Sequence, residues 1–187
     1  MSFPTLELET QLLADFPAII AMDEVGRGSL AGPVAVGAFV LTHEQLIEIP
    51  QGLQDSKLIR EPKREEVSER VKLWGKHAVA FVSAQEIDQH GIISSLKAAG
   101  LSCLEQLALP DAVILLDGNQ NWLEQTRVKT KVKADRDCAA VSAASIIAKV
   151  SRDALMIELD QKYPEYDFAS NKGYSSPSHI KALRTHG

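Results

Sequence analysis

Short apolar runs bounded by glycine, proline or acidic residues recur along the chain, and they predict the strands of a sheet. These runs lie at 18–22, 34–41, 77–84 and 112–117, and an alternating run follows at 127–132. Continuous apolar runs of this length are typical of buried strands, whereas alternation is typical of a half-exposed strand. The pattern therefore predicts five strands, the last with one face open to solvent.

Helical periodicity occupies most of the intervals between these runs. Apolar positions three and four residues apart predict helices at about 61–74, 85–90, 91–108 and 138–162, and Tyr163-Pro164 ends the last of them. The segment around NKGYSSP reads as a loop into a short final helix capped by Ser176 or Ser178. The element order predicts an α/β domain with a mixed sheet, in which the first three strands form a meander and the last two are linked through helices.

Composition limits the class of protein. A chain of 187 residues with 45% hydrophobic residues fits one folded domain, with room for a small helical appendage. Cys103 and Cys138 lack metal-type spacing, no secretory signal opens the sequence, and no apolar stretch approaches the length of a membrane span. We therefore expect a reduced, cytoplasmic setting and no membrane partner.

The net charge of the chain and the charge of individual stretches point in different directions. The net charge of −5 argues against a protein that coats nucleic acid over its whole surface. Two stretches, at 57–64 and 127–133, are nevertheless basic. They are interpreted either as phosphate-binding surfaces or as ordinary solvated faces.

Acidic residues follow two of the predicted buried strands. Asp23 and Glu24 follow the first, Asp117 ends the fourth, and Asp135 or Asp137 opens the long helix. Carboxylates that converge on one sheet edge repel one another unless a cation neutralises them, and oxygen ligands suit Mg²⁺ or Mn²⁺. The pattern predicts a metal-dependent phosphoryl-transfer site. The alternative is that each acid merely caps a helix or begins a turn.

A Gly26-Arg27-Gly28 turn adjoins the first pair of acids. Glycines let the backbone approach a sugar-phosphate closely, arginine can bind a phosphate through two hydrogen bonds, and backbone groups can recognise a ribose 2′-OH. The alternative is a tight hairpin turn that carries one solvated arginine.

Five blocks extend these observations to nearly the whole chain. AMDEVGRGSLAGPVAVGA, DSKLIR, LLDGN, KAD followed by SIIAKVSRD, and NKGYSSPSH occur in this order, and from about residue 17 onward the sequence resembles the ribonuclease HII family. The resemblance implies a ribonuclease H-like core at 1–162, with five mixed strands flanked by helices. It also implies a C-terminal helical substrate-binding extension at 163–187.

The resemblance further implies a metal-dependent endonuclease. Such an enzyme cuts the RNA strand of RNA–DNA hybrids and cuts 5′ of single ribonucleotides in duplex DNA, leaving 3′-hydroxyl and 5′-phosphate ends and so initiating ribonucleotide excision repair. Two alternatives stay open: another two-metal nuclease or strand transferase of the same fold, and a module that binds RNA–DNA junctions without cutting them. We expect a monomer, and no sequence feature identifies a sliding-clamp partner.

Matching by motif carries the family's roles onto individual residues. The resemblance implies that the family's four carboxylates, which hold two Mg²⁺ or Mn²⁺ ions, correspond to Asp23, Glu24, Asp117 and Asp135. The family's last acid stands ten residues before a serine, here Ser145, and this selects Asp135 over Asp137. Asp137 is then expected to start the long helix, where the helix dipole favours an acid.

The implied substrate residues are of three kinds. Gly26, Arg27 and Gly28 would contact the ribonucleotide 2′-OH and nearby phosphates. Tyr174 would stack on the following deoxyribose, or alternatively pack on the final helix. Lys57 and Lys149 are expected to contact phosphates; the alternative for Lys149 is a side chain that extends from an apolar helix face to water.

The sequence departs from the family pattern in two notable places. Gly100 stands where the family tends to have methionine, and the sequence ends at RTHG, where many members continue through a tail containing proline, histidine and arginine. We expect a chain without that tail to bind its substrate less tightly.

Overall fold

The computed structural model describes residues 3–187 and contains one five-stranded sheet with helices on both faces. The strands are β1 (Ile19–Val25), β2 (Val34–Leu41), β3 (His77–Val82), β4 (Val113–Asp117) and β5 (Val128–Lys131). The helices are α1 (Glu7–Leu13), α2 (Glu61–Trp74), α3 (Ala84–His90), α4 (Ile92–Leu107), α5 (Ala134–Asp137), α6 (Ala139–Lys162), α7 (Phe168–Asn171) and α8 (Pro177–His186). Short 3-10 helices occupy His43–Ile47 and Pro164–Tyr166.

The strand order is β3-β2-β1-β4-β5. β1, β2 and β3 are antiparallel neighbours, whereas β4 and β5 run parallel to β1. This confirms the predicted mixed sheet and its three-strand meander. β1 is longer than predicted, so Asp23 and Glu24 lie inside the strand rather than after it.

The helices predicted to link the last two strands to the meander are confirmed as α3 and α4, which lie between β3 and β4. Residues 118–127 contain no helix, and β4 continues into β5 through an irregular segment. That segment buries Trp122 and Leu123, which take the place of a crossover helix against α4. Gly100 of α4 makes room for them, since a Cβ there would lie 2.6 Å from atoms of both side chains.

Alternation along β1 places its side chains in two separate cores. Ile19 and Ala21 pack with α2 and α6 on one face, and Ile20 and Met22 pack with α4 on the other. Because successive side chains of a strand point to opposite faces, Asp23 is directed towards α6. An apolar strand therefore delivers a carboxylate into a largely apolar layer.

α1 was not predicted, and it contributes a buried acid to the start of α6. Glu9 is fully buried, and its Oε1 accepts a hydrogen bond of 2.9 Å from the amide of Ala140. Cys138, the N-cap of α6, makes no side-chain cap bond, so Glu9 satisfies an amide at that helix end. Burial raises the pKa of Glu9, although backbone amides of α6 oppose this effect.

The C-terminal residues pack as an aromatic cluster beside the end of α6. The rings of Tyr166 and Phe168 stack at 5.4 Å, and His179 of α8 meets both edge-on. Ser176, one of the two predicted caps, accepts a hydrogen bond from the amide of His179 at the start of α8. Within residues 3–187, no helix is long and apolar enough to cross a bilayer.

A glycine in β2 sets how closely α6 approaches the sheet, and this is testable. A Cβ on Gly37 would lie 2.3 Å from the carbonyl oxygen of Ala144 and 2.9 Å from Cβ of Ala148. Gly37→Ala should lower the free energy of unfolding by about 1–3 kcal/mol, because the helix must move away from the sheet. Urea denaturation measures this. Gly28→Ala is the control, since a Cβ there meets nothing within 4 Å; equal stability of the two variants would contradict the prediction.

Candidate active site

Asp23 is one of two buried carboxylates, with Asp135, at the edge of the sheet where the predicted acids lie. It is 7% exposed and lies between the end of β1 and α6. Burial raises the pKa of Asp23 well above its usual range, and the charges of Glu24, Asp117 and Asp135 add to this effect. A hydrogen bond with Ser145 opposes it. The predicted acids are therefore close enough to repel one another.

Asp117 and Asp135 meet at the carboxyl end of β4. Oδ1 of Asp117 accepts a hydrogen bond of 3.3 Å from the amide of Asp135. Burial raises the pKa of Asp117, and the charge of Asp135 raises it further. The backbone of Asp135 is fixed from the other side, because Ser142 Oγ donates to its carbonyl at 2.6 Å.

Asp137 does not begin the long helix, so that expectation was wrong. It is the last residue of the separate helix α5, and it pairs with Arg136 at 2.8 Å and with Lys131 at 3.4 Å. The hydrogen bond with Arg136 lowers the pKa of Asp137. The amide at the start of α6 is instead taken by Glu9.

Lys57 supplies positive charge to the acidic cluster. Its Nζ lies 2.9 Å from Oδ2 of Asp135 and 4.0 Å from Oδ1 of Asp55. Burial acts to lower the pKa of Lys57, but the hydrogen bond with Asp135 and the charges of Asp135, Asp55 and Asp23 raise it overall. The lysine side chain is still 74% exposed, so it can move towards a ligand.

The donor set fits a hard divalent cation, although the carboxylates do not form a ready-made cluster. Among residues 3–187, no three His, Cys, Asp or Glu side chains lie close enough together to hold a metal ion. Asp135 is directed to Lys57 instead. Mutually repelling carboxylates whose pKa values rise through burial and through one another are nevertheless the chemistry that Mg²⁺ or Mn²⁺ relieves.

The two glycines of the Gly26-Arg27-Gly28 turn differ in their surroundings. Gly26 has φ +93°, and a Cβ there would lie 2.4 Å from Nε of Arg152. A Cβ on Gly28 would meet nothing within 4 Å. Gly26 is therefore required by the fold, whereas Gly28 leaves an open surface on the cleft.

Arg27 is held on the side of the cleft by two acceptors. Its Nη1 lies 3.3 Å from Oε1 of Glu24, and its Nη2 donates to Oε1 of Gln120 at 2.9 Å. Burial raises the pKa of Glu24, and the hydrogen bond with Arg27 opposes this. The turn thus carries a partly exposed guanidinium that also compensates one of the acids.

Tyr174 and Lys149 lie together on the far side of the cleft. Lys149 Nζ is 5.7 Å from the centre of the Tyr174 ring and pairs with Oδ1 of Asp153 at 2.6 Å. Burial lowers the pKa of Lys149, and Asp153 opposes this. Nδ1 of His179 lies 2.8 Å from the Tyr174 carbonyl, and since a carbonyl only accepts, that nitrogen carries the proton.

One cleft of about 360 Å³ brings these groups together. Every predicted substrate residue lines it, together with two of the acids and two serines: Asp23, Glu24, Gly26, Arg27, Gly28, Ser56, Lys57, Ser145, Lys149 and Tyr174. The remaining acids adjoin the cleft, because Asp135 binds Lys57 and Asp117 accepts from the Asp135 amide.

Sequence reasoning missed several residues that organise this cleft. Ser56 and Ser145 join the loop before α2 to α6 through a hydrogen bond of 3.0 Å between their hydroxyl groups. Arg152, whose side chain is fully buried, contacts the loop that carries the glycine turn. The motifs DSK and SRD contain Ser56 and Arg152, but neither motif reveals which partner the side chain reaches.

Comparison with known proteins assigns the family. The family model described as Ribonuclease HII matches residues 20–187. The chain belongs to the ribonuclease HII family. Among curated relatives, the Ribonuclease HII of Streptomyces avermitilis is 42% identical over 189 residues, which cover 98% of this chain and 79% of the relative. The chain is therefore a ribonuclease H enzyme, of the class that hydrolyses RNA in RNA–DNA hybrids.

Solved structures agree with the ribonuclease HII assignment. Ribonuclease H2 from Pyrococcus horikoshii superposes with a TM-score of 0.77 at 28% identity, covering 90% of this chain and 86% of that one. Bst-RNase HIII in complex with Mn²⁺ superposes with a TM-score of 0.71 at 18% identity, covering 97% and 73%. The second likeness concerns the fold, and together they confirm the predicted ribonuclease H-like sheet.

The pairing of Lys57 with Asp135 predicts competition between the lysine and a divalent cation. Lys57→Met should bind Mn²⁺ about tenfold more tightly than the unchanged ribonuclease HII chain, because a positive charge 2.9 Å from Asp135 is removed. Isothermal titration without nucleic acid measures this. Lys63→Met, a change at an exposed lysine of α2, is the matched control. Unchanged or weaker Mn²⁺ binding by Lys57→Met would refute the competition.

Proposed function

We propose that this ribonuclease HII cuts the ribonucleotide-containing strand of duplex DNA on the 5′ side of a single ribonucleotide, as well as the RNA strand of hybrids. The products carry 3′-hydroxyl and 5′-phosphate ends, which suit ribonucleotide excision repair in the cytoplasm. The observation that supports this most is the juxtaposition of the acidic sheet edge, the open glycine turn and Tyr174 around one cleft.

Asp23, Glu24, Asp117 and Asp135 are the residues that would hold the two Mg²⁺ or Mn²⁺ ions. When bound, such ions supply an acidified water and stabilise the departing 3′ oxygen. Support comes from the effect of Glu24, Asp117 and Asp135 on the pKa of Asp23, and from a structural relative described in complex with Mn²⁺. With such ions held by the acids, Lys57 would no longer be needed as the cation beside Asp135 and could instead pair with a phosphate of the cleaved strand.

Gly28 and Arg27 are the residues that recognise the ribonucleotide. The open surface at Gly28 lets a sugar approach the backbone, where a hydrogen bond to the 2′-OH selects against deoxyribose. Arg27 lies beside it with a partly exposed guanidinium suited to the neighbouring phosphate. Specificity on this account comes from a contact that a deoxyribonucleotide cannot make.

Tyr174 and Lys149 bind the DNA that follows the ribonucleotide. The Tyr174 ring is partly exposed on the cleft, where it can stack on a deoxyribose, and Lys149 beside it supplies charge for a phosphate. The helices of residues 163–187 carry Tyr174 and act as the substrate-binding extension of the core. The enzyme acts as a monomer on this substrate.

The first experiment compares a DNA duplex that has one embedded ribonucleotide with the all-DNA duplex, in Mg²⁺, in Mn²⁺ and in EDTA. We expect metal-dependent cutting 5′ of the ribonucleotide only. Asp23→Asn should reduce the rate at least about 100-fold, because a carboxylate that would hold the metal ions is lost. Asp111→Asn, an exposed acid far along the sheet from the cleft, is the control. Tight binding without cutting would favour a junction-binding module, and full activity of Asp23→Asn would refute the metal assignment.

The two glycines of the turn should respond differently to alanine. Gly28→Ala should fold with unchanged stability and lose cutting at a single ribonucleotide, because its methyl group occupies the space that the sugar needs. Gly26→Ala should instead lower the midpoint of thermal unfolding, since φ is +93° and Arg152 Nε lies 2.4 Å from the new Cβ. Thermal denaturation and the cutting assay separate these effects. Full cutting by Gly28→Ala would remove that residue from ribose recognition.

A further inference from the structure

Arg152 of α6 is the largest fully buried side chain of the described residues, and all the hydrogen bonds of its guanidinium reach other segments. Nε donates to the Pro33 carbonyl at 2.7 Å, and Nη1 donates to the Lys172 carbonyl at 2.9 Å. Nη2 donates to Ser29 Oγ at 2.9 Å and to the Ala31 carbonyl at 3.3 Å. One guanidinium thus binds the loop after β1 and the loop after α7 at the same time.

No carboxylate of the described residues forms an ion pair with this buried cation. The neighbouring Asp153 pairs instead with Lys149 and Arg64. Taking an unpaired guanidinium out of water costs solvation energy that carbonyl and hydroxyl acceptors only offset, and apolar residues often replace buried charges without loss of stability. Stability of the fold alone therefore does not account for an arginine at this position.

The contacts of Arg152 continue to both elements of the cleft. Ser29 Oγ, which accepts from the guanidinium, donates to the Gly26 carbonyl at 2.8 Å. The amides of Leu30 and Ala31 both point to the Gly173 carbonyl, at 2.8 and 3.3 Å. The glycine turn and the residue before Tyr174 are therefore tied into one unit with the guanidinium beneath it.

We propose that Arg152 is a positioning residue that couples the ribose-reading turn to Tyr174, so that the two recognise adjacent nucleotides as a single unit. This inference rests on the proposed function, because it concerns how that cleft selects its substrate. Arg152 touches no reacting atom. It fixes the spacing between Gly26 on one side of the junction and the Tyr174 loop on the other.

The geometry requires arginine rather than any cation. The planar fork presents separate donors to separate acceptors in fixed directions, which a lysine ammonium cannot reproduce. The fit is tight, since a Cβ on Gly26 would lie 2.4 Å from Nε of Arg152. Cζ also lies 5.4 Å from the centre of the Tyr174 ring, so the same group supports the ring that is to stack.

A double-mutant cycle tests this coupling. Arg152→Lys, Tyr174→Ala and the double variant are compared by kcat/KM on a DNA duplex with one ribonucleotide, below the lowest unfolding temperature. Each single change should lower kcat/KM roughly 10- to 100-fold, since misplacement of a positioning group costs that much. The double variant should be no more than about threefold worse than the poorer single variant, because Tyr174 contributes only when Arg152 places its loop.

The proposal would be overturned if the fold-loss of kcat/KM in the double variant equalled the product of the losses in the two single variants. Full activity of Arg152→Lys would also overturn it. Arg70→Lys, the same chemical change on the outer face of α2, should leave kcat/KM unchanged. Should Arg152→Lys not fold, Ser29→Ala takes its place, since it removes the hydroxyl between the guanidinium and Gly26 while keeping the charge. Multiplicative effects of Ser29→Ala and Tyr174→Ala would then refute the coupling. An unchanged chain that fails to cut the ribonucleotide duplex would refute the proposed function instead.

Discussion

The close approach of α6 to the sheet is the constraint on which the rest of the cleft depends. Gly37 of β2 allows it, because its missing side chain admits the backbone of Ala144. At this distance Ser145 reaches Asp23 at the end of β1 and Ser56 in the loop before α2. A helix held further from the sheet would lose both contacts, so a packing requirement in the core determines the position of the buried carboxylate of Asp23.

The same helix serves the other parts of the cleft at helical intervals. Ser142 fixes the carbonyl of Asp135, Arg152 holds the loop after β1, and the thioether side chain of Met156 fills the space beside Gly32 and Gly173. Residues three and four apart on a helix share a face, so one face of α6 passes from the acids to the substrate loops. Rigidity of a single element therefore translates into fixed spacing between groups that are distant in sequence.

Charge is distributed unevenly along that face. Buried acids near Asp23 gather at the start of α6, with Lys57 as the cation in direct contact with Asp135. Further along, Arg152 is a buried cation satisfied by neutral oxygens alone, and burial lowers its pKa. On the proposed function, a phosphodiester between these two regions would have divalent cations held by the acids on one side and the loop supported by Arg152 on the other. This arrangement reconciles the net negative charge of the chain with a nucleic-acid substrate, because the phosphates respond to the positive charge close to them rather than to the net charge of the protein.

The strands, the meander of the first three and the acidic edge were predictable from sequence because each depends on local patterns: apolar runs, turn residues and acids at strand ends. The interactions that the sequence did not reveal join distant residues. Glu9 binds the amide of Ala140 across 131 positions, and Arg152 binds Pro33 across 119. Both place a charged side chain where composition predicts exposure, since charged residues are rarely fully buried without a partner. Local patterns therefore identify the candidate groups for the chemistry, whereas buried charges of this kind, visible only in three dimensions, determine how accurately those groups are held.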